Sequence, residues 1–223
     1  MKTDLELQKE VATELAWDPA IRHEDIAVTA RDGVITLGGT VDTYAQQYAA
    51  ERAAERIKGV RAVANDLVVK LDKSHDRSDS EIAHAALTAL RADIEVPDHR
   101  ITIKVIKGFV SLKGEVASQY QRKAAERAVR YLAGIKGVTD NILVSATPTR
   151  SDVKNRIEDA LARTAELDAN RIGVEIAGHR VTLRGTVRSL AEKNDASRAA
   201  WSAVGVNEVV NLMVVEPFTM ASL

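Results

Sequence analysis

The stretch VTLRGTV (181–187) occurs three times in this chain with small variations, also as ITLGGTV (35–41) and VSLKGEV (110–116). Each copy alternates apolar residues with others, as a half-buried strand does, and has leucine at its third position. A glycine follows that leucine after one further residue, at Gly39, Gly114 and Gly185. These glycines lie 75 and 71 residues apart. Such regular recurrence predicts a repeat architecture.

A second glycine follows each of these glycines after 20 residues, at Gly59, Gly134 and Gly205. The same spacing in all three copies defines a repeat of about 70 residues. We therefore predict three domains, at 3–71, 78–146 and 149–217.

The first repeat predicts one helix, a hairpin, a second helix and a last strand. Leu7, Val11 and Leu15 recur at helical spacing. Asp32-Gly33 is a two-residue hairpin turn between two alternating runs, and residues 63–69 alternate again. The β-α-β half of this order requires a crossover, which favours a parallel pair of strands. We expect an α+β fold of three tandem α-β-β-α-β units, each a small three-stranded mixed sheet covered by two helices.

The second helix of each unit has sequence signals at both ends. Thr43, Ser118 and Ser189 precede it, and Gln46, Gln121 and Glu192 stand three residues later, which predicts a capping box in all three units. We expect the helix to end at the second glycine, as a left-handed cap. The strand glycines allow two interpretations, close packing against the helix layer or a phosphate cradle. The absence of a Gly-rich phosphate motif favours packing.

The segment GVITLGGTVDTYAQQYAAERAAERIKGVRAVANDLVV (33–69) resembles the BON domain, a bacterial family named for osmotically induced and nodulation proteins. All three units carry the pattern. The resemblance implies the α-β-β-α-β fold, no enzymatic activity, and envelope or osmotic-stress roles, with anionic phospholipid as a ligand of some members. Relatives with one such domain bind potassium.

Composition excludes several classes of function. The chain has no cysteine and a formal net charge of −1, which argues against thiol chemistry and against nucleic-acid binding. We predict no cofactor, no metal site and no catalysis. The five histidines occupy unrelated positions: His23, His75, His84, His99 and His179. If Met1 is the natural start, we expect a cytoplasmic protein; if an export signal has been removed, a periplasmic one.

Unit two is the only basic unit, with a net charge of +2 against −4 and 0. Its hairpin turn, Lys107-Gly108, pairs Ile106 with Phe109 and turns both outward. The candidate lipid or anion contacts there are Lys104, Ile106, Lys107, Phe109 and Lys113. An apolar pair ringed by lysines suits an anionic membrane. The alternative is that this face packs on another unit or in an oligomer.

Helix two of unit two adds four candidate cations, Arg122, Lys123, Arg127 and Arg130. Arg127 has arginine counterparts in both other units, Arg52 and Arg198. We expect this position to be solvated, opposite the alanine face, either in local ion pairs or at a lipid headgroup.

These patterns favour a non-enzymatic binding or scaffold protein linked to stress, for which an anionic phospholipid surface is one candidate ligand. The alternative is a cytosolic protein-protein interaction or potassium-responsive module, with protein partners or self-association. We also expect the units to pack in a fixed arrangement, with units two and three coupled most rigidly, and Trp201 to contribute to such contacts.

Overall fold

The computed structural model describes residues 2–72, 74–145, 171–203 and 206–215. Unit one contains five elements in the predicted order: α1 (Asp4–Trp17), β1 (Ile26–Arg31), β2 (Val34–Val41), α2 (Tyr44–Arg56) and β3 (Ala62–Val69). Unit two repeats them as α3 (Asp79–Ala92), β4 (Ile101–Ile106), β5 (Phe109–Val116), α4 (Gln119–Arg130) and β6 (Gly137–Val144), with a short 3-10 turn (Asp98–Arg100) before β4.

Unit three is described from its hairpin onward. Its elements are β7 (Ile172–Ala177), β8 (Arg180–Val187), α5 (Leu190–Trp201), β9 (Glu208–Asn211) and β10 (Val214–Val215). The helix predicted around 153–161 lies outside the described residues.

Each unit forms its own mixed sheet. In unit one, β2 lies in the middle, antiparallel to β1 and parallel to β3. The β4-β5-β6 sheet of unit two repeats this order. In unit three the last strand is divided, and β9 and β10 both pair parallel with β8. The predicted α+β fold of repeated α-β-β-α-β units is confirmed.

One aliphatic core lies against the sheet of each unit, between helices and sheet in units one and two and beneath α5 in unit three. The helical spacing of Leu7, Val11 and Leu15 is confirmed, because all three side chains are buried in α1. They pack with strand residues such as Ile35 and Leu37. Alanines on the inner face of α2, including Ala53, let that helix approach the sheet closely. The helices of units one and two therefore cover only one face of their sheets and leave the other face outward, and α5 lies on one face of the unit-three sheet.

The strand glycines are required for a reason different from the one predicted. Gly39 has φ of +115°, and a Cβ there would lie 2.0 Å from the backbone oxygen of Asp25, which precedes β1. At Gly185 the corresponding distance, to the oxygen of Arg171, is also 2.0 Å. The predicted approach to the helix layer is wrong, since Gly39 is exposed and its neighbour is the adjacent backbone.

The predicted ends of the second helices need correction. Helix α2 ends at Arg56, three residues before Gly59, so this glycine is not its cap, although its φ is +95°. Gly134 likewise follows α4 in a turn, and Gly205 lies outside the described residues. The capping boxes predicted there are incomplete, although each cap oxygen accepts from the backbone N–H three residues later. In α4 and α5 the Gln121 and Glu192 side chains accept from the N–H of the residue before the cap, at 2.9 and 2.8 Å. Among the described helices, complete boxes are at Thr3/Glu6 and Ser78/Glu81.

The described contacts between units centre on unit one. Tyr44 packs against the cores of units one and two, and Arg130 of unit two lies over the Tyr48 ring, 3.5 Å from its centroid. The Asn194 amide of unit three donates to Glu55 at 3.1 Å. The prediction that units two and three are coupled most rigidly is therefore not supported in the described part of the chain.

Candidate anion-binding surfaces

The unit-two hairpin has the predicted register. Lys104 pairs with Ser111, Val105 with Val110, and Ile106 with Phe109. Val110 is buried in the core, whereas Ile106 is 51% and Phe109 56% exposed. The three lysines Lys104, Lys107 and Lys113 are also exposed. We call this set of five side chains, Lys104, Ile106, Lys107, Phe109 and Lys113, the basic hairpin face.

None of the three lysines of the basic hairpin face has a side-chain ion pair or hydrogen bond among the described residues. The matching face of unit three is neutralised, because Arg180 contacts Glu208 at 2.7 Å and Arg184 contacts Glu175 at 3.4 Å. Unit two therefore leaves positive charge beside exposed apolar side chains where unit three pairs its charges internally.

Sequence reasoning missed one residue of this face, Gly137. It pairs with Phe109 across β5 and β6, and a Cβ on it would lie 2.8 Å from the Phe109 ring. One edge of the ring thus lies against this glycine. The equivalent position in unit three is Glu208, the partner of Arg180. About half of each apolar side chain remains exposed, so no other unit encloses them in the described chain, and self-association through this face stays a prediction.

The predicted helix-two cations do not join the basic hairpin face, because α4 covers the opposite face of the sheet. Arg122 contacts Asp140 of β6 at 2.8 Å. Lys123 and Arg130 share the Glu126 carboxylate, each at 2.7 Å. Burial alone would raise the pKa of the Glu126 carboxyl, but its two cationic partners lower it below its ordinary value. Arg127 contacts Glu95 at 3.1 Å, so all four cations are tied to carboxylates of their own unit.

Arg127 and its counterparts from the other units converge on one cavity of about 590 Å³, which we call the central cleft. Equivalent positions of α2, α4 and α5 form its wall. Its lining residues are Tyr48, Glu51, Arg52, Glu55, Gln119, Lys123, Arg127, Arg130, Asn194, Ser197, Arg198 and Trp201. Arg127 and Arg198 are exposed as expected, but Arg52 is half-buried. The sequence signal for this site was the arginine shared by all three units.

Ionisation of the Glu55 carboxyl should make the free energy of unfolding depend on pH. Burial raises the pKa of its carboxyl, Arg52 opposes the rise, and Glu51 adds to it. The ionised form is thus disfavoured in the fold, so stability is lost as pH rises from about 4.5, the ordinary value, through the raised pKa. We expect Glu55→Gln to be more stable than wild type at pH 7, with the difference vanishing below pH ~4.5. Urea unfolding at several pH values measures this; a gain that persists at acid pH would contradict it.

No helix among the described residues is long and apolar enough to cross a membrane. In the same part of the chain, no cluster of three or more histidine and carboxylate side chains could hold a metal ion.

The repeated arrangement of helices on one face of a three-stranded sheet defines the chain as a tandem array of small α+β modules. The BON domain family model matches residues 3–70, 78–146 and 149–217. The chain therefore belongs to the BON domain family.

Other comparisons place the chain among known proteins. It is 30% identical over 126 residues to osmotically-inducible protein Y of Escherichia coli (strain K12), a match that covers 55% of this chain and 63% of that protein. It also aligns with solved structures of CdsD, a structural protein of the type III secretion system of Chlamydia trachomatis. One, of its C-terminal domain, has a TM-score of 0.27 at 12% identity and covers 97% of this chain and 100% of that chain.

Proposed function

We propose that this chain is a non-enzymatic binding protein that attaches to anionic phospholipid surfaces through the basic hairpin face, in a role linked to osmotic stress. The observation that carries the proposal is the combination of exposed Ile106 and Phe109 with lysines that have no acidic partner in the described chain. The name of the similar protein from E. coli supports the link to osmotic stress.

The physical argument rests on two contributions that act on the same face. Each lysine near an anionic bilayer adds about 1 kcal/mol of attraction. The exposed ring of Phe109 and the side chain of Ile106 add the transfer of apolar surface out of water. Neither contribution requires a change of fold, since both side chains already point outward.

The lipid prediction is tested with the double variant Lys104→Gln/Lys107→Gln. Removing two lysines should weaken binding to phosphatidylglycerol-containing vesicles by about 2 kcal/mol, or roughly 30-fold. Co-sedimentation over a range of lipid concentrations, with phosphatidylcholine vesicles in parallel, measures the loss. We expect Phe109→Ser to weaken binding further without changing its dependence on anionic lipid.

The matched control is Lys58→Gln/Lys70→Gln, which removes two exposed lysines from unit one. It should bind vesicles as wild type does. Equal losses of vesicle affinity in both double variants would show that binding depends on the net charge of the chain and not on the basic hairpin face. Binding to phosphatidylcholine alone, or none to either vesicle at low salt, would contradict the proposal and leave self-association as the use of this face, which sedimentation velocity would then detect.

A further inference from the structure

We propose that the outward face of the unit-one sheet is a dimer interface, which docks on the same face of a second copy of this chain. We call it the unit-one sheet face. All of its residues except Arg31 and Asp66 are alanine, threonine, valine or glycine, and all are exposed or half-buried. A Cβ added to Gly38 meets no atom within 4 Å, so nothing covers this position in the described chain. The residues of the face are Ala27, Thr29, Arg31, Val34, Thr36, Gly38, Thr40, Ala62, Ala64, Asp66 and Val68.

The equivalent faces of the other two units are not suited to self-association. In unit two the positions of Thr29 and Gly38 hold Lys104 and Lys113, so two copies of that face would repel each other. In unit three the arginines of the face are already paired with its own glutamates. A contiguous face of small side chains with few charges is instead typical of an interaction surface.

The two charges of the unit-one sheet face indicate the partner. The Asp66 side chain has no ion pair or hydrogen bond among the described residues. Arg31 pairs there with its neighbour Asp32 at 3.8 Å, but the two side chains are 92% and 88% exposed, so this pair contributes little. The partner must therefore present one charge of each sign. An anionic membrane would repel Asp66, whereas a second copy of the same face supplies both charges.

The strand register places these two charges symmetrically about the face. Arg31 of β1 pairs with Val34 of β2, and Asp66 of β3 pairs with Gly38 of β2. Thr36 lies midway between Val34 and Gly38, so it marks the midpoint of the line from Arg31 to Asp66. A two-fold axis over Thr36, parallel to the face and perpendicular to that line, exchanges the two positions. Each Arg31 then meets the Asp66 of the other copy, as an isologous interface requires.

The dimensions of the face agree with the packing of two sheets. With strands about 4.8 Å apart and about 3.3 Å per residue, this axis makes the strands of the two copies cross at roughly 70°, near the orthogonal class of sheet packing. Three strands of this length cover roughly 350 Å² in projection, so two copies would bury on the order of 1,000 Å² of accessible surface. That area is at the lower limit for a specific interface. We therefore expect a reversible dimer with a dissociation constant in the micromolar range.

The test is sedimentation velocity of the full chain at several protein concentrations. Wild type should form a concentration-dependent dimer. Arg31→Asp and Asp66→Arg should each raise the dissociation constant at least about tenfold, because each variant brings like charges together at both contacts. An equimolar mixture of the two variants should form dimers again, since every contact then joins opposite charges.

Two further substitutions locate the interface on the sheet. Thr36→Lys places a cation on the two-fold axis, opposite its own copy, and should abolish the dimer. The matched control is Thr182→Lys, the same change at the equivalent position of unit three. It should dimerise as wild type does, and so should Lys104→Gln/Lys107→Gln. Circular dichroism verifies that each variant is folded.

Three outcomes would overturn the proposal. The first is a wild-type chain that remains monomeric well above micromolar concentration. The second is an equal loss of dimers in Thr36→Lys and Thr182→Lys, and the third is a mixture of the two charge variants that remains monomeric. Loss of dimers in Lys104→Gln/Lys107→Gln would also overturn it, because self-association would then belong to the basic hairpin face.

Discussion

Gly39→Ala should destabilise the first unit by about 3 kcal/mol or more. The added Cβ would lie 2.0 Å from the backbone oxygen of Asp25, in a residue whose φ is +115°. The oxygen cannot move away freely, since it accepts a hydrogen bond from the Thr40 N–H at 3.1 Å. The substitution must therefore both strain its own backbone and displace the entry to β1. Urea unfolding monitored by circular dichroism measures the loss.

The adjacent residue provides the control for this prediction. A Cβ on Gly38 meets no atom within 4 Å, and its backbone has no positive φ. Gly38→Ala should be neutral or stabilise by about 0.4–1 kcal/mol, because it reduces the freedom of the unfolded chain. Similar stabilities for the two alanine variants would show that the close approach to Asp25 is not the reason why position 39 requires glycine.

Local sequence signals were sufficient to predict the fold of the units and the register of the unit-two hairpin. A two-residue turn at Lys107-Gly108 leaves one pairing of the flanking strands, so Ile106 opposite Phe109 followed from spacing alone. The contact that explains Gly39 was not readable in the same way. It joins this glycine to Asp25, fourteen residues away, through a backbone atom that every residue possesses.

The central cleft could not be predicted from the repeated sequence pattern, because it depends on residues that the repeats do not share. The shared arginine was visible at Arg52, Arg127 and Arg198, but a helical wheel only places it opposite the alanine face. The relative orientation of α2, α4 and α5 is set by residues that differ between units. Tyr44, which bridges the cores of units one and two, is replaced by Gln119 and Leu190 at the equivalent positions. The packing between units must therefore be known before the central cleft and its lining residues can be identified.

Arg130→Met should cost about 3 kcal/mol and loosen the contact between units one and two. The Arg130 and Glu126 side chains are 11% and 12% exposed, so removing the guanidinium leaves a largely buried carboxylate with Lys123 alone. Breaking a buried pair by removing one partner is strongly destabilising for this reason. The variant also loses the cation that lies over the Tyr48 ring. Urea unfolding gives the free energy, and hydrogen exchange along α2 reports the loosening.

A second substitution separates the buried charge from the lost contact with Tyr48. Glu126→Gln in the Arg130→Met background removes the carboxylate that was left behind, so the double variant should recover part of the stability. Exchange along α2 should remain fast, because the cation over Tyr48 is still missing. The exposed pair of Arg180 and Glu208 is the reference, and Arg180→Met should change stability by no more than about 0.5 kcal/mol. If Arg130→Met matched that reference, Arg130 would contribute little to joining the two units.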